Sequence, residues 1–155
     1  MNKKSLNILM IEDDAIEVMK LHRTIASLDK SHAIVEMKNG DEALAYLKSE
    51  APFPDIILLD LNMPKLDGME LLTILKADTE LACIPAIVLT TSNNPKDVLS
   101  CYQLGIAGYV FKPLSYEDYH FKTNKLLSYG VLMKWKKKNK KRIIFTEFLE
   151  FGEYQ

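Results

Sequence analysis

Short apolar runs alternate along this chain with segments whose apolar positions recur at helical spacing. Because such runs are too short for helices, they predict strands, and the longer segments between them predict helices. The strands are expected at residues 6–11, 32–38, 54–60, 84–91 and 107–113. The helices are expected at residues 14–29, 39–50, 67–78, 95–105 and 116–138.

The boundaries of these helices carry their own signals. Asp67 is followed three residues later by Glu70, an aspartate version of the capping box, and Pro95 and Gly105 bracket the fourth helix. The last helix has its weak point at Gly130. The first helix takes its predicted apolar face from Ile16, Met19, Ile25 and Leu28.

Strands alternating with helices predict a parallel sheet, since parallel strands need crossover connections that cover both faces with helices. We therefore expect an α/β fold, a doubly wound five-stranded parallel sheet with five helices. Ligands of such sheets bind at the carboxyl ends of the strands. The residues at those ends are thus the candidate site.

Composition narrows the class of protein. A chain of 155 residues, with 48% hydrophobic and 26% charged residues, fits one globular domain with a real core. The apolar run at residues 6–11 is too short for a signal peptide, and nothing approaches a membrane span. Cys83 and Cys101 stand in apolar surroundings, which favours reduced core thiols and a cytoplasmic location.

Polar residues follow four of the five predicted strands. They are Glu12, Asp13 and Asp14 after the first, Asp60 after the third, Thr90 and Thr91 after the fourth, and Lys112 after the fifth. Taken singly, each fits an ordinary role in capping, turn formation or solvation. Together, clustered carboxylates repel one another unless a cation joins them, and an all-oxygen cluster suits Mg²⁺ better than Zn²⁺. The set predicts a magnesium site that could counter the charge of a phosphoryl group.

Four segments carry a resemblance to a known family. They are IEDD (residues 11–14), LLDLNMPKLDG (58–68), LTTS (89–92) and GYVFKP (108–113). In order and separation they resemble the receiver domains of two-component response regulators, over residues 6–127. The resemblance implies the flavodoxin-like receiver fold, with Asp60 as the phosphoacceptor.

The same resemblance implies roles for the neighbouring residues. Asp13 would bind Mg²⁺ directly, and Glu12 would bind it through water. Asp60 would lie beside the ion, and the backbone carbonyl of Asn62 would complete its coordination shell. Thr90 would be the switch hydroxyl. Two further expectations are Lys112 as the ion-pairing lysine, before a cis bond to Pro113, and Tyr109 as the switch aromatic.

The implied function is that of a single-domain response regulator rather than an enzyme. Asp60 would accept a phosphoryl group from a histidine kinase or a phosphotransfer protein, and the product would act on a downstream protein target. A phosphatase of the haloacid dehalogenase type is the rival with an aspartate nucleophile, but its second acid is replaced here by Asn62. Whether phosphorylation produces a homodimer stays open.

The end of the chain lies outside the resemblance. We expect a receiver domain over residues 1–130 and an extension over residues 131–155 with no separate output domain, which weighs against DNA binding. Residues 134–142 hold seven of the 20 basic side chains, leaving 13 basic against 21 acidic elsewhere. This run is either a solvated end of the last helix or an arm for nucleic acid, membrane or protein. The second case would make the chain a constitutive binding module with vestigial phosphorylation.

Overall fold

The five predicted strands and five predicted helices are all present in the computed structural model, which describes residues 5–28 and 31–138, with side chains as far as residue 128. The strands are β1 (Asn7–Ile11), β2 (Ala33–Met37), β3 (Ile56–Leu59), β4 (Ala86–Thr90) and β5 (Gly108–Phe111). The helices are α1 (Ala15–Ala26), α2 (Gly40–Leu47), α3 (Gly68–Ala77), α4 (Pro95–Leu104) and α5 (Tyr116–Lys138). A short 3-10 helix at Leu81–Cys83 precedes β4 and was not predicted.

The strands form one parallel sheet in the order β2-β1-β3-β4-β5. This confirms the predicted doubly wound architecture. The chain passes from β1 outward to β2 and then crosses back to β3, so β1 and β3 lie side by side at the point where the order reverses. The carboxyl ends of these two strands are therefore where a ligand site is expected.

Two apolar layers cover the sheet, because successive side chains of a strand point to opposite faces. One face packs against α1 and α5 through Ile8, Met10, Leu58, Leu89 and Val110. The other packs against α2, α3 and α4 through Leu9, Ile11, Ile57, Leu59 and Val88. The three central strands are buried throughout apart from the first residue of β1, so their backbones hold the carboxyl-terminal edge firmly in place.

Helix capping agrees with the sequence signals. The side chain of Asp67 accepts a hydrogen bond from the backbone N–H of Glu70 at the start of α3. In α4, Pro95 is in the first turn, and Gly105 ends the helix in the left-handed conformation at a φ of 92°. α5 runs without interruption through Gly130 to Lys138.

Two predictions about burial were wrong. Ile16 and Met19 are 64% and 69% exposed, whereas α1 buries Leu21 and Ile25. Ile16 lies five residues before Leu21, about 140° around the helix, so the two cannot share the face that packs on the sheet. Cys83 is exposed, while Cys101 is buried as expected, because the 3-10 helix directs only Leu81 into the core.

The expected cis bond between Lys112 and Pro113 was also wrong, since the described residues contain no cis peptide bond. The trans isomer is the more stable form of a proline peptide bond by about 0.5–1 kcal/mol. Lys112 still reaches the edge of the sheet, because its backbone N–H donates to the carbonyl oxygen of Thr90 at 2.8 Å and extends the pairing of β4 with β5.

The predictions for the end of the chain are not tested by this fold. Residues 139–155 lie outside the described residues, and with them part of the basic run and the rest of the extension. The proposed boundary at residue 130 and the role of the extension therefore stay predictions.

Gly68 marks a close backbone approach between α3 and the end of β3. A Cβ atom at this position would lie 2.4 Å from the carbonyl oxygen of Asp60 and 2.5 Å from the Cα of Leu61. The Gly68 N–H also donates to the carbonyl oxygen of Leu61 at 3.1 Å. Only glycine allows α3 to dock this closely on the segment that carries Asp60.

We expect Gly68→Ala to lower the free energy of unfolding by about 3 kcal/mol, because the clash is with backbone that cannot move aside. Gly105→Ala is the matched control. Its added Cβ meets nothing within 4 Å, so only the strain of the positive φ should lower the free energy of unfolding, by about 1 kcal/mol. Urea denaturation of both variants measures the difference, and equal losses would contradict the close approach at Gly68.

Candidate functional site

The register of β1 and β3 places two acidic segments side by side. Ile11 pairs with Leu59, so Glu12 and Asp60 are the next residues along neighbouring strands. The backbone N–H of Asp60 donates to the carbonyl oxygen of Ile11 at 3.1 Å and extends the pairing by one step. Carboxylate oxygens of Glu12, Asp13 and Asp60 consequently lie within 4.8 Å of one another.

Lys112 reaches this cluster from the end of the edge strand β5, which is two strands away from β3. It follows β5, and its ammonium nitrogen Nζ lies 2.7 Å from Oε1 of Glu12 and 3.7 Å from Oδ2 of Asp60. Its side chain is 8% exposed, so these contacts are largely shielded from water. The structure thus brings together four of the predicted site residues, from three different strand ends.

The loop after β3 begins at the site. The backbone N–H of Asn62 donates to Oδ1 of Asp60 at 3.3 Å, which orients that carboxylate. Further along, Lys65 adopts a φ of 61°, a conformation that costs an ordinary residue about 1–2 kcal/mol. The side chain of Asn62 is exposed. The metal-binding role of its carbonyl stays a prediction.

Thr90 and Tyr109 both form hydrogen bonds with Ser92, in the loop after β4. Thr90 is fully buried, and its Oγ1 accepts a hydrogen bond from the backbone N–H of Ser92 at 3.3 Å. Tyr109 is also buried, and its hydroxyl donates to the carbonyl oxygen of Ser92 at 2.8 Å. The Ser92 hydroxyl in turn donates to Asp97 at 2.7 Å, in the first turn of α4.

The remaining polar residues at the strand ends are Asp14 and Thr91. Asp14 is exposed and caps α1, where its Oδ1 accepts the backbone N–H of Ile16 at 2.9 Å. Thr91 is exposed, because the side chain of Thr90 points into the protein and that of the next residue points away. Neither belongs to the cluster of Glu12, Asp13 and Asp60.

Glu17 is a neighbour of the site that sequence reasoning missed. It lies in the first turn of α1, and its Oε2 is 4.0 Å from Nζ of Lys112. Its other oxygen is 2.9 Å from Nζ of Lys20. The available signal was its position three residues after Asp14, which places it at the start of a helix that begins beside the acidic cluster.

Burial makes the charges of the cluster costly. Burial and the neighbouring Asp60, against the opposing effect of Lys112, together raise the pKa of Glu12 to about 8. Burial alone would lower the pKa of Lys112, but its hydrogen bond with Glu12 and the charges of Glu12, Asp60 and Glu17 raise it. Glu12 and Asp60 share the single ammonium group of Lys112, so the negative charge of the pair is not fully neutralised.

A divalent cation would supply the missing positive charge. Oε2 of Glu12 is buried and has no hydrogen-bond partner among the described residues, so it is an acceptor without a donor. Asp13 is exposed beside it, which leaves the cluster open to solvent on one side. Carboxylate oxygens are the ligands that hard divalent cations prefer. Glu12, Asp13 and Asp60 are the residues that could hold such an ion.

Comparisons with known proteins agree with this geometry. Residues 8–123 match the response regulator receiver domain. The response regulator Rcp1 of Synechocystis sp. is 34% identical over 116 residues, which cover 72% of this chain and 79% of Rcp1. The chain therefore belongs to the response regulator receiver family. These domains are parts of two-component signalling systems and not conventional enzymes.

Two crystal structures give the structural counterpart. The Mn²⁺-bound form of Rcp1 matches with a TM-score of 0.76 and 31% identity, over 81% of this chain and 94% of that chain. The phosphorylated cyanobacterial phytochrome response regulator RcpA matches with a TM-score of 0.74 and 33% identity, over 79% and 91%. The predicted receiver fold is thus confirmed. Within the described part of the chain, no helix is long and apolar enough to cross a membrane.

A divalent cation should stabilise the fold through this cluster. Mn²⁺ at about ten times its dissociation constant should raise the free energy of unfolding by about 1.4 kcal/mol, since it binds the folded state alone. Asp13→Asn should lose most of this gain. Denaturation with and without Mn²⁺ is the measurement.

The matched control for this prediction is Glu50→Gln, which removes an exposed acid outside the cluster. It should keep the full stabilisation by Mn²⁺. If the two variants respond alike, the cation is binding somewhere other than at Glu12, Asp13 and Asp60.

Proposed function

We propose that this chain acts as a single-domain response regulator, phosphorylated on Asp60 and signalling by phosphorylation-dependent protein binding. The carboxylate of Asp60 carries the proposal. It stands at the end of the central strand β3, only 7% exposed, with an ammonium at 3.7 Å and two further acids around it. RcpA, whose crystal structure is of the phosphorylated form, supports phosphorylation, and the Mn²⁺-bound form of Rcp1 supports a cation at the site.

The reaction is a phosphoryl transfer from a histidine of a kinase or phosphotransfer protein. An oxygen of Asp60 forms the new bond to phosphorus as the bond from phosphorus to the histidine nitrogen breaks, and the electron pair leaves with the imidazole. The N–H of Asn62 holds Oδ1 of Asp60 in place, and Lys112 offers positive charge to the phosphoryl oxygens.

Mg²⁺, held by Glu12, Asp13, Asp60 and the carbonyl of Asn62, would neutralise the oxygens of the transferring group. The buried, unpartnered oxygen of Glu12 supports such an ion. At position 62 an amide stands where a phosphatase would carry an acid to activate water. Hydrolysis of the product should therefore be slow, as suits a signal.

The switch that we propose uses the contacts at Ser92. Phosphorylation places new acceptor oxygens near Thr90, and the Thr90 hydroxyl turns toward them. Because Ser92 bonds to Thr90, Tyr109 and Asp97, this movement reaches both β5 and α4. A downstream protein would read the changed surface of these elements.

Incubation with a small phosphodonor and Mg²⁺ should add the mass of one phosphoryl group to the wild-type protein. Asp60→Asn should abolish the addition, because the amide is not a nucleophile. Intact mass spectrometry at short times is the measurement. Asp41→Asn, which removes an exposed acid at the start of α2, is the matched control and should be phosphorylated normally. A phosphorylated Asp60→Asn protein would disprove the assignment.

Thr90→Ala should separate phosphorylation from signalling. The nucleophile and the metal ligands stay in place, so the variant should still gain a phosphoryl group. The backbone amide signals of α4 should move less on phosphorylation than in the wild type, as measured by NMR. Thr91→Ala changes the exposed neighbour and should respond like the wild type. Equal responses of the two variants would count against Thr90 as the switch residue.

A further inference from the structure

Lys112 has three carboxylates within reach, and one of them lies outside the cation cluster. Its Nζ is 2.7 Å from Glu12, 3.7 Å from Asp60 and 4.0 Å from Glu17. Glu12 and Asp60 belong to the group that could hold a metal, whereas Glu17 comes from α1. Lys112 contacts Oε1 of Glu12, whereas Oε2 has no partner among the described residues, so a cation on Oε2 would share this carboxylate with the ammonium group and be repelled by it.

Glu17 is placed to take over the ammonium. Its Oε2 is buried, has no hydrogen-bond partner in the part of the chain that the structure describes, and lies 4.0 Å from Nζ of Lys112. Since hydrogen bonds between ammonium and carboxylate are about 2.7–2.9 Å long, a shift of about 1 Å would close this gap. Lys20, bonded to the other oxygen at 2.9 Å, keeps the Glu17 carboxylate in place.

The charge count of the region agrees with this arrangement. Four carboxylates, on Glu12, Asp13, Asp60 and Glu17, surround the two ammonium groups of Lys20 and Lys112. When all four acids are ionised, the excess of two negative charges is balanced by one divalent cation. An anion that holds Lys112 away from Glu12 therefore leaves Glu12 free for the ion.

We infer that Glu17 is a positioning residue that draws Lys112 from Glu12 when a divalent cation binds, and so sets the cation affinity of the phosphorylation site. The inference rests on the proposed function of that site. Glu17 touches neither the cation nor the phosphoryl group and acts through Lys112 alone. Loss of its charge would leave Lys112 on Glu12, in competition with the cation.

A double-mutant cycle tests this dependence. We expect Glu17→Gln to weaken Mn²⁺ binding about tenfold when Lys112 is present, and less than about threefold in the Lys112→Met background. The free Mn²⁺ signal in electron paramagnetic resonance gives the dissociation constants without any need for phosphorylation. The same fold-change in both backgrounds would overturn the inference, because Glu17 would then act only through its charge.

A kinetic readout separates positioning from a structural role. Glu17→Gln should raise the Mg²⁺ concentration that half-saturates phosphorylation about tenfold, while the rate at saturating Mg²⁺ changes less than about threefold. A general loss of structure would lower the saturating rate instead and overturn the inference. Lys20→Gln is a second variant, and it should shift the half-saturating concentration in the same direction by a smaller factor.

The outcomes for the site and for Glu17 are distinguishable. If the wild type binds Mn²⁺ and is phosphorylated but Glu17→Gln behaves identically, the inference fails and the proposed function stands. If the wild type neither binds Mn²⁺ nor gains a phosphoryl group, the proposed function fails, and the role of Glu17 falls with it.

Discussion

The contact between Lys112 and the acids at the ends of β1 and β3 is the interaction on which the rest of the site depends. The parallel sheet brings Glu12 and Asp60 together at an edge where burial makes like charges expensive. One ammonium at 2.7 Å from Glu12 offsets part of that cost. The negative charge that remains uncompensated is what a divalent cation can neutralise.

The fold supplies rigidity where the site needs it. β1, β3 and β4 are buried between two layers of helices, so the residues that follow them emerge at fixed positions. Gly68 lets α3 approach the backbone of Asp60 closely, which braces the loop that carries Asn62. The same rigidity makes the site responsive, since a new charge there is met by movement of side chains and loops rather than of strands.

Two sets of contacts at this edge of the sheet lead in different directions. Through Ser92, the buried side chains of Thr90 and Tyr109 connect to α4. Through Lys112, the acids connect to Glu17 on α1, a helix that packs against α5. The first set connects the site to the surface that we propose a partner reads. The second governs how readily the site takes up its cation.

The sequence by itself determined the element order, the parallel sheet and the strand-end residues, because alternating apolar periodicity and the carboxyl-edge rule depend only on local pattern and chain connectivity. It could also place Glu12, Asp13, Asp60 and Lys112 at a common edge. Helix orientation was beyond it, and Ile16 and Met19 proved exposed because the packing of α1 against the sheet and α5 selects the buried face. The exposure of Cys83 and the approach of Glu17 to Lys112 were likewise decided only by the tertiary structure. Each depends on atoms far apart in the chain, whose distances no local pattern contains.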